Sequence, residues 1–106
     1  MASYIHKTID LTTDDTVIVP LNGRWTEGNY SVVASYAGTG TIKVEGTISR
    51  INRGETAIWF DLTGLTAVTA NAKVGITNTP VEAFRVTGTT MAGGGATVQI
   101  LGAGDA

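Results

Sequence analysis

Residues 41–49 read TIKVEGTIS, and this stretch decides the fold. Ile42, Val44 and Ile48 fall on one side of an extended chain, and Lys43, Glu45, Thr47 and Ser49 on the other. Successive side chains of a strand point to opposite faces, so this alternation describes a sheet with one buried and one solvated side. Upstream, residues 30–37 (YSVVASYA) form another extended segment, and Gly38-Thr39-Gly40 reads as the hairpin turn between the two, because glycine supplies positive φ. Downstream, Asn52-Arg53-Gly54-Glu55 is a turn. It leads into residues 56–62 (TAIWFDL), where Ile58, Phe60 and Leu62 share one face and Trp59 and Asp61 the other; the pattern fits either face inward.

The same alternation extends to both ends of the chain. Residues 4–11 place Ile5, Ile9 and Leu11 opposite His6, Thr8 and Asp10, and residues 12–15 (TTDD) turn the chain. Residues 16–20 (TVIVP) form a short apolar strand closed by proline, followed by a glycine-bearing loop, LNGRWTEGN, at 21–29. Residues 65–69 and 74–77 are two more short β segments. Residues 81–87 (VEAFRVT) carry Phe84 and Val86 inward, 88–95 (GTTMAGGG) read as a flexible hairpin loop, and 96–101 (ATVQIL) carry Val98 and Ile100 inward. No ten-residue stretch keeps a helical period, so nothing is available as a crossover helix for a parallel sheet. The expected fold is all-β: an antiparallel β-sandwich or jelly roll of about eight short strands, forming a single domain over 1–106. Residues 1–15 read equally well as the first strand of that sandwich or as an arm that pairs with a neighbouring subunit's sheet edge.

Composition narrows the function. The 106 residues include 18 Thr and 14 Gly, only 15% charged residues, one His and no Cys, with a net charge of −2. Without cysteine there is no disulfide framework, zinc knuckle or thiol nucleophile. A mildly acidic chain without a Lys/Arg cluster is a poor nucleic-acid binder. No apolar run approaches the ~18 residues of a membrane helix, and the first ten residues lack the apolar core of a secretory signal. A surface of hydroxyls and few charges resists association poorly, which points to an oligomer or an assembly subunit.

Motifs that carry chemistry are scarce. His6 and Asp10 share a strand face about 13 Å apart at ~3.3 Å per residue, too far to share one ion. Asp14-Asp15 lack the following acids of a calcium loop and read as a solvated turn. Glu27, Glu45, Glu55, Asp61 and Glu82 offer no evident catalytic pair, and Lys43 beside Glu45 is ordinary surface pairing. Gly93-Gly94-Gly95 leads into a strand and not a helix, so it is no phosphate loop. No enzyme activity, cofactor or metal is expected. The aromatic residues remain. Trp25 beside Arg24, Tyr30, and Trp59 if it faces outward are the candidate interface residues, able to anchor a partner or to stack on a sugar ring.

The C-terminal half adds a resemblance. DLTGLTA at 61–67 is followed by VGITNTPVEAFRVTGTTMAGGGATVQIL at 74–101. The NTPVEAFRV strand, the glycine-rich tip and the closing TVQIL strand resemble the final hairpin of capsid decoration (cement) proteins and related β-sandwich proteins of tailed bacteriophages. The resemblance implies a non-enzymatic structural subunit, often a trimer, that binds the outer capsid through contacts with the major capsid protein and so stabilises it. It implies synthesis in the host cytoplasm and residence in the virion. A tail, head-fibre or receptor-binding subunit and a carbohydrate-binding module built on Trp25, Tyr30 or Trp59 are the competing readings.

Overall fold

The computed structural model describes residues 4–21 and 28–103. The described residues form eight strands: β1 (Tyr4–Leu11), β2 (Asp15–Pro20), β3 (Tyr30–Tyr36), β4 (Thr39–Thr47), β5 (Phe60–Asp61), β6 (Ala72–Ile76), β7 (Ala83–Ala92) and β8 (Ala96–Ala103). Among the described residues one 3-10 turn, Ile51–Arg53, interrupts them. They form two four-stranded sheets, in the orders β1-β8-β3-β6 and β2-β7-β4-β5. Every pairing is antiparallel. The pairs are nested: β1 with β8, β2 with β7, β3 with β6, β4 with β5. The chain is therefore one long hairpin folded about its midpoint and rolled into a two-layer β-sandwich with jelly-roll strand order.

The inward faces follow the alternation of the sequence. Ile5, Ile9, Leu11, Val32, Ala34, Val98 and Ile100 from one sheet meet Val19, Ile42, Val44, Phe84 and Val86 from the other. The Tyr30 and Phe84 rings meet edge to face across the layers, 5.0 Å apart at 89°. Leu62, Leu65 and Val68, which precede β6, close the flank beside β4. There the Val68 carbonyl accepts the Ile42 N–H at 2.8 Å and the Tyr36 hydroxyl as well. The Tyr36 N–H donates to Asn71 Oδ1 at 2.7 Å.

Four expectations need correction. Residues 38–40 and 88–95 are not hairpins, because β3 and β4, and likewise β7 and β8, lie in different sheets. Residues 39–40 and 88–92 instead belong to β4 and β7, which pair with each other, and only the short connections at 37–38 and 93–95 are left as corners between layers that stack about 10 Å apart. The corners meet at one end of the sandwich: the N–H groups of Ala37 and Gly38 both donate to the Gly95 carbonyl, at 3.0 and 2.9 Å. Glycine is needed there, since a Cβ on Gly38 would stand 2.0 Å from the Ala92 carbonyl oxygen. Gly95 has φ +63°, and its Cβ would stand 1.9 Å from the Leu11 carbonyl oxygen. Residues 56–59 are not strand, and residues 65–69 contribute only a bridge between Val68 and Ile42. Ile48 is not core but 70% exposed, because β4 ends at Thr47, and Ile58, whose side the alternation leaves open, is 78% exposed in the loop before β5 begins at Phe60. β1 is an edge strand, and Lys7, exposed at an inward-parity position, discourages further strand addition there.

Tyr36 supplies a test of the flank. Burial pushes its hydroxyl pKa up, and a backbone hydrogen bond at Ile42 pulls it partly back. The folded state thus holds the phenolic proton more tightly than the unfolded chain. The contribution is fully present below about pH 10, the unfolded value, and is lost as pH rises through the higher folded value. Tyr36→Phe should lower stability by about 1 kcal/mol at pH 7. In urea unfolding, the gap to the unmodified chain should narrow above pH 10.

Candidate functional site

The outward positions of β4 carry Lys43, Glu45 and Thr47, and the register sets what they meet. Glu45 is opposite Arg85 of β7 on one side and Asp61 of β5 on the other. Although Glu45 faces away from the core, it is only 7% exposed. Two guanidinium N–H groups of Arg85, Nε and Nη2, converge on Glu45 Oε1 at 2.9 and 2.8 Å. Lys43 Nζ stands 3.7 Å from Glu45 Oε2 and 3.2 Å from Asp61 Oδ1. The Trp59 ring covers the guanidinium, with Arg85 Cζ 4.6 Å from the ring centroid. A carboxylate withdrawn from water requires such compensation, and a planar cation forked onto it and stacked on an indole supplies it.

Trp59 is placed by the loop that turns the chain at its midpoint. Thr47, fully buried, donates its hydroxyl to the Ile58 carbonyl at 2.8 Å, and the Ile58 N–H donates to Ser49 Oγ at 3.0 Å. The Arg50 N–H donates to Glu55 Oε1 at 2.7 Å, and Gly54 closes the 3-10 turn in the left-handed conformation through its N–H to the Ile51 carbonyl. The loop is therefore held at both of its sides, yet it presents Ile48 and Ile58 to water. Ile18 of β2, opposite Arg85 in register, is 48% exposed. Ile18, Arg85 and Trp59 thus form an apolar and cationic strip on the outer side of the β2-β7-β4-β5 sheet, and the exposed Ile48 and Ile58 belong to the loop that carries Trp59. That composition is typical of the centre of a protein interface.

The candidate interface residues fare differently. Arg24 and Trp25 lie outside the described residues. Tyr30 is a core residue, 3% exposed against Phe84, and offers no surface to a partner. Trp59 lies outside the core, on the outer face. His6 is exposed, Asp10 accepts the Thr97 hydroxyl at 2.7 Å, and Asp14 accepts the Met91 N–H at 2.7 Å. Among the described residues no group of His, Asp or Glu is placed to hold a metal ion, and no helix is long and apolar enough to cross a membrane. Two shallow hollows of about 360 and 340 Å³ share Gly75, Ile76 and Thr77 of the β6 edge. The sequence marks Arg85 as outward, since it sits between the buried Phe84 and Val86. That Glu45 is its partner depends on strand register, which a single sequence does not display.

The fold defines a class, the two-layer jelly-roll β-sandwich, and known structures share it. The SPBc2 prophage-derived protein YomS superposes with a TM-score of 0.68 at 12% identity, over 97% of this chain and 95% of that one. A mitogen derived from Yersinia pseudotuberculosis gives 0.50 at 10% identity, over 100% and 86%. Part of IMPa from Pseudomonas aeruginosa, solved in complex with an O-glycopeptide, gives 0.50 at 15% identity, over 98% of this chain but 13% of that one. No family model and no curated protein matches the chain by sequence. At these identities the likeness is one of fold.

The ion pair can be tested through its asymmetry. Arg85→Met strands a buried carboxylate with only Lys43 near it, and should cost about 2–3 kcal/mol in denaturant unfolding. Arg85→Met with Glu45→Met removes both charges and should cost less than the single change.

Proposed function

We propose that this chain is a structural protein of a phage particle, and more narrowly a decoration subunit on the outer surface of the capsid. The observation that carries this reading is the end-to-end superposition on the prophage-derived YomS, in which a jelly roll of the same extent accounts for nearly the whole of both chains. The composition fits: few charges, a Thr- and Gly-rich surface, and no constellation of catalytic groups among the motifs of the sequence. The resemblance of residues 61–101 to the closing segment of decoration proteins points the same way.

In this reading the work is mechanical and not enzymatic. Each copy buries the strip of Ile18, Arg85 and Trp59, and the exposed Ile48 and Ile58 of the loop, against the major capsid protein or a neighbouring subunit. Because many copies engage one shell, weak individual contacts add up by avidity. The Glu45–Arg85–Trp59 cluster holds the strip in shape, so that little ordering cost remains at binding. The subunits form a closed homo-oligomer, a trimer in the simplest case, and reside in the virion.

The test is sedimentation of purified protein with capsids assembled in its absence. Saturable co-sedimentation at a fixed copy number, with greater resistance of the capsids to heat, is expected. Binding at the tail instead of the capsid, in electron micrographs of labelled particles, would assign the chain to a tail or fibre. No binding to any part of the particle would overturn the reading.

A further inference from the structure

The two sheets have four edge strands, and three of them are closed to further pairing. β1 is guarded by Lys7, β5 is two residues long, and β2 ends in Pro20, which has no N–H to offer. On β2 the Thr16 N–H is also taken, by Asp15 Oδ1 at 2.8 Å. β6 is different. It is five residues long and pairs with β3 alone. Among the described residues nothing bonds to its backbone along the other side. Such an edge offers a series of N–H and C=O groups, which another extended backbone matches in step.

Gly75 ends a row of outward positions that crosses the sheet: His6, Leu101, Ser31 and Gly75 on β1, β8, β3 and β6. A Cβ at Gly75 would meet nothing within 4 Å, and its φ is not positive, so neither packing nor conformation requires glycine. Glycine inside a strand weakens it and often marks the close approach of another backbone or a ligand. The missing side chain opens the hollow on the outer face, whose lining includes Leu101, 48% exposed. The second hollow lies between β6 and residues 60–63, with Phe60, Leu62 and Ile76 in its lining. A strand laid along β6 sends alternate side chains to these two sides.

Charge selects the source of that strand. Lys73, outward and two positions before Gly75, is exposed and has no ion-pair partner among the described residues. The other members of its row, Thr8, Gln99 and Val33, are uncharged. Asp61 is the one charged residue lining either hollow, and Lys43 holds it at 3.2 Å. The edge thus presents one uncompensated cation. A second copy of this chain is a poor match: its other three edges are closed, and antiparallel pairing of β6 with itself about Val74 sets the two Lys73 side chains on one face as diagonal neighbours.

We propose that β6 is a docking edge for an extended segment of another protein, which joins the sheet as an antiparallel fifth strand. Opposite Gly75 that segment carries an aromatic side chain, which covers the glycine and rests on Leu101. Opposite Lys73, two residues further along, it carries a carboxylate. Its inward residues are apolar, and the one opposite Ile76 enters the hollow beside Phe60. Backbone pairing supplies affinity, and the two hollows supply specificity. The docking edge does not rest on the phage-particle reading. A chain that binds such a segment and ignores capsids would sink only that reading, and a chain that coats capsids without binding it would sink only this one.

The probe is a fluorescein-labelled synthetic peptide, Thr-Val-Phe-Val-Glu-Val-Thr, titrated against the full chain by fluorescence anisotropy, with backbone amide shifts followed by NMR. Saturable binding is expected, with the largest shifts at residues 72–77. Two N-methylated peptides, blocked at alternate amides, test the backbone pairing: blocking the set that faces β6 should abolish binding, and blocking the other set should leave it. Gly75→Thr should weaken binding at least tenfold with an unchanged or higher unfolding midpoint, since its Cβ meets open space and threonine favours strands. Lys73→Glu should weaken binding roughly fivefold, and a peptide with Lys in place of its Glu should restore it. Absence of saturable binding, equal binding of the two N-methylated peptides, or a Gly75→Thr chain that binds like the unmodified one would each overturn the proposal. So would a dimer of the unmodified chain that Gly75→Thr dissolves, which would give the edge to a second copy.

Discussion

Nested pairing is the constraint on which the rest of this structure depends. Of the four nested pairs, only β4 and β5 are joined by a short connection, and every other pair encloses that one. Short-range contacts can act directly on the register of the roll only at this innermost turn. Thr47 and Ser49 fasten Ile58, and Arg50 fastens Glu55, through groups fewer than a dozen residues apart. The outer pairs bring together residues that are far apart in sequence, and such contacts carry a large loop-closure cost and fold slowly. A firmly fastened midpoint gives them a starting alignment.

The same turn explains why a charged cluster sits where the polar face of a strand would normally be solvated. By delivering Trp59 over Arg85, it withdraws Glu45 from water on the outer side of the sheet. A second, small packed layer results, outside the sandwich core. It adds little apolar area, and a buried ion pair is not in itself a large source of stability. Its effect is geometric: it ties β4, β5 and β7 to the loop, so the apolar side chains on that flank have fixed positions.

Period-two alternation carried most of the fold. Ile42, Val44, Phe84, Val86, Val98 and Ile100 point inward as their spacing demands, and the strand count follows from the turn residues between them. The errors came where alternation stops being informative. Ile48 keeps the parity of Ile42, but its strand has ended, and parity says nothing beyond a strand end. Gly38 and Gly93 to Gly95 look like hairpin tips because glycine serves a tight turn and a corner between layers equally well. Tyr30 looked like an interface residue because it borders a glycine-bearing loop. What decides its place is the inter-sheet contact with Phe84, 54 positions away in the sequence. The outer strip was half legible: Trp59 and Arg85 could each be read as outward, but their stacking required the register.

β1 and β8 lie side by side for their full length, with Tyr4 opposite Ala103. A chain that enters and leaves through adjacent strands is nearly cyclic. Residues 4 and 103 could be bridged by a short linker and new ends opened at one of the glycine corners, with every strand pair kept. Such a circular permutant would turn the most distant ladder of the roll into its most local one. In this fold, the order in which the sheets assemble is thus separable from the sheets themselves.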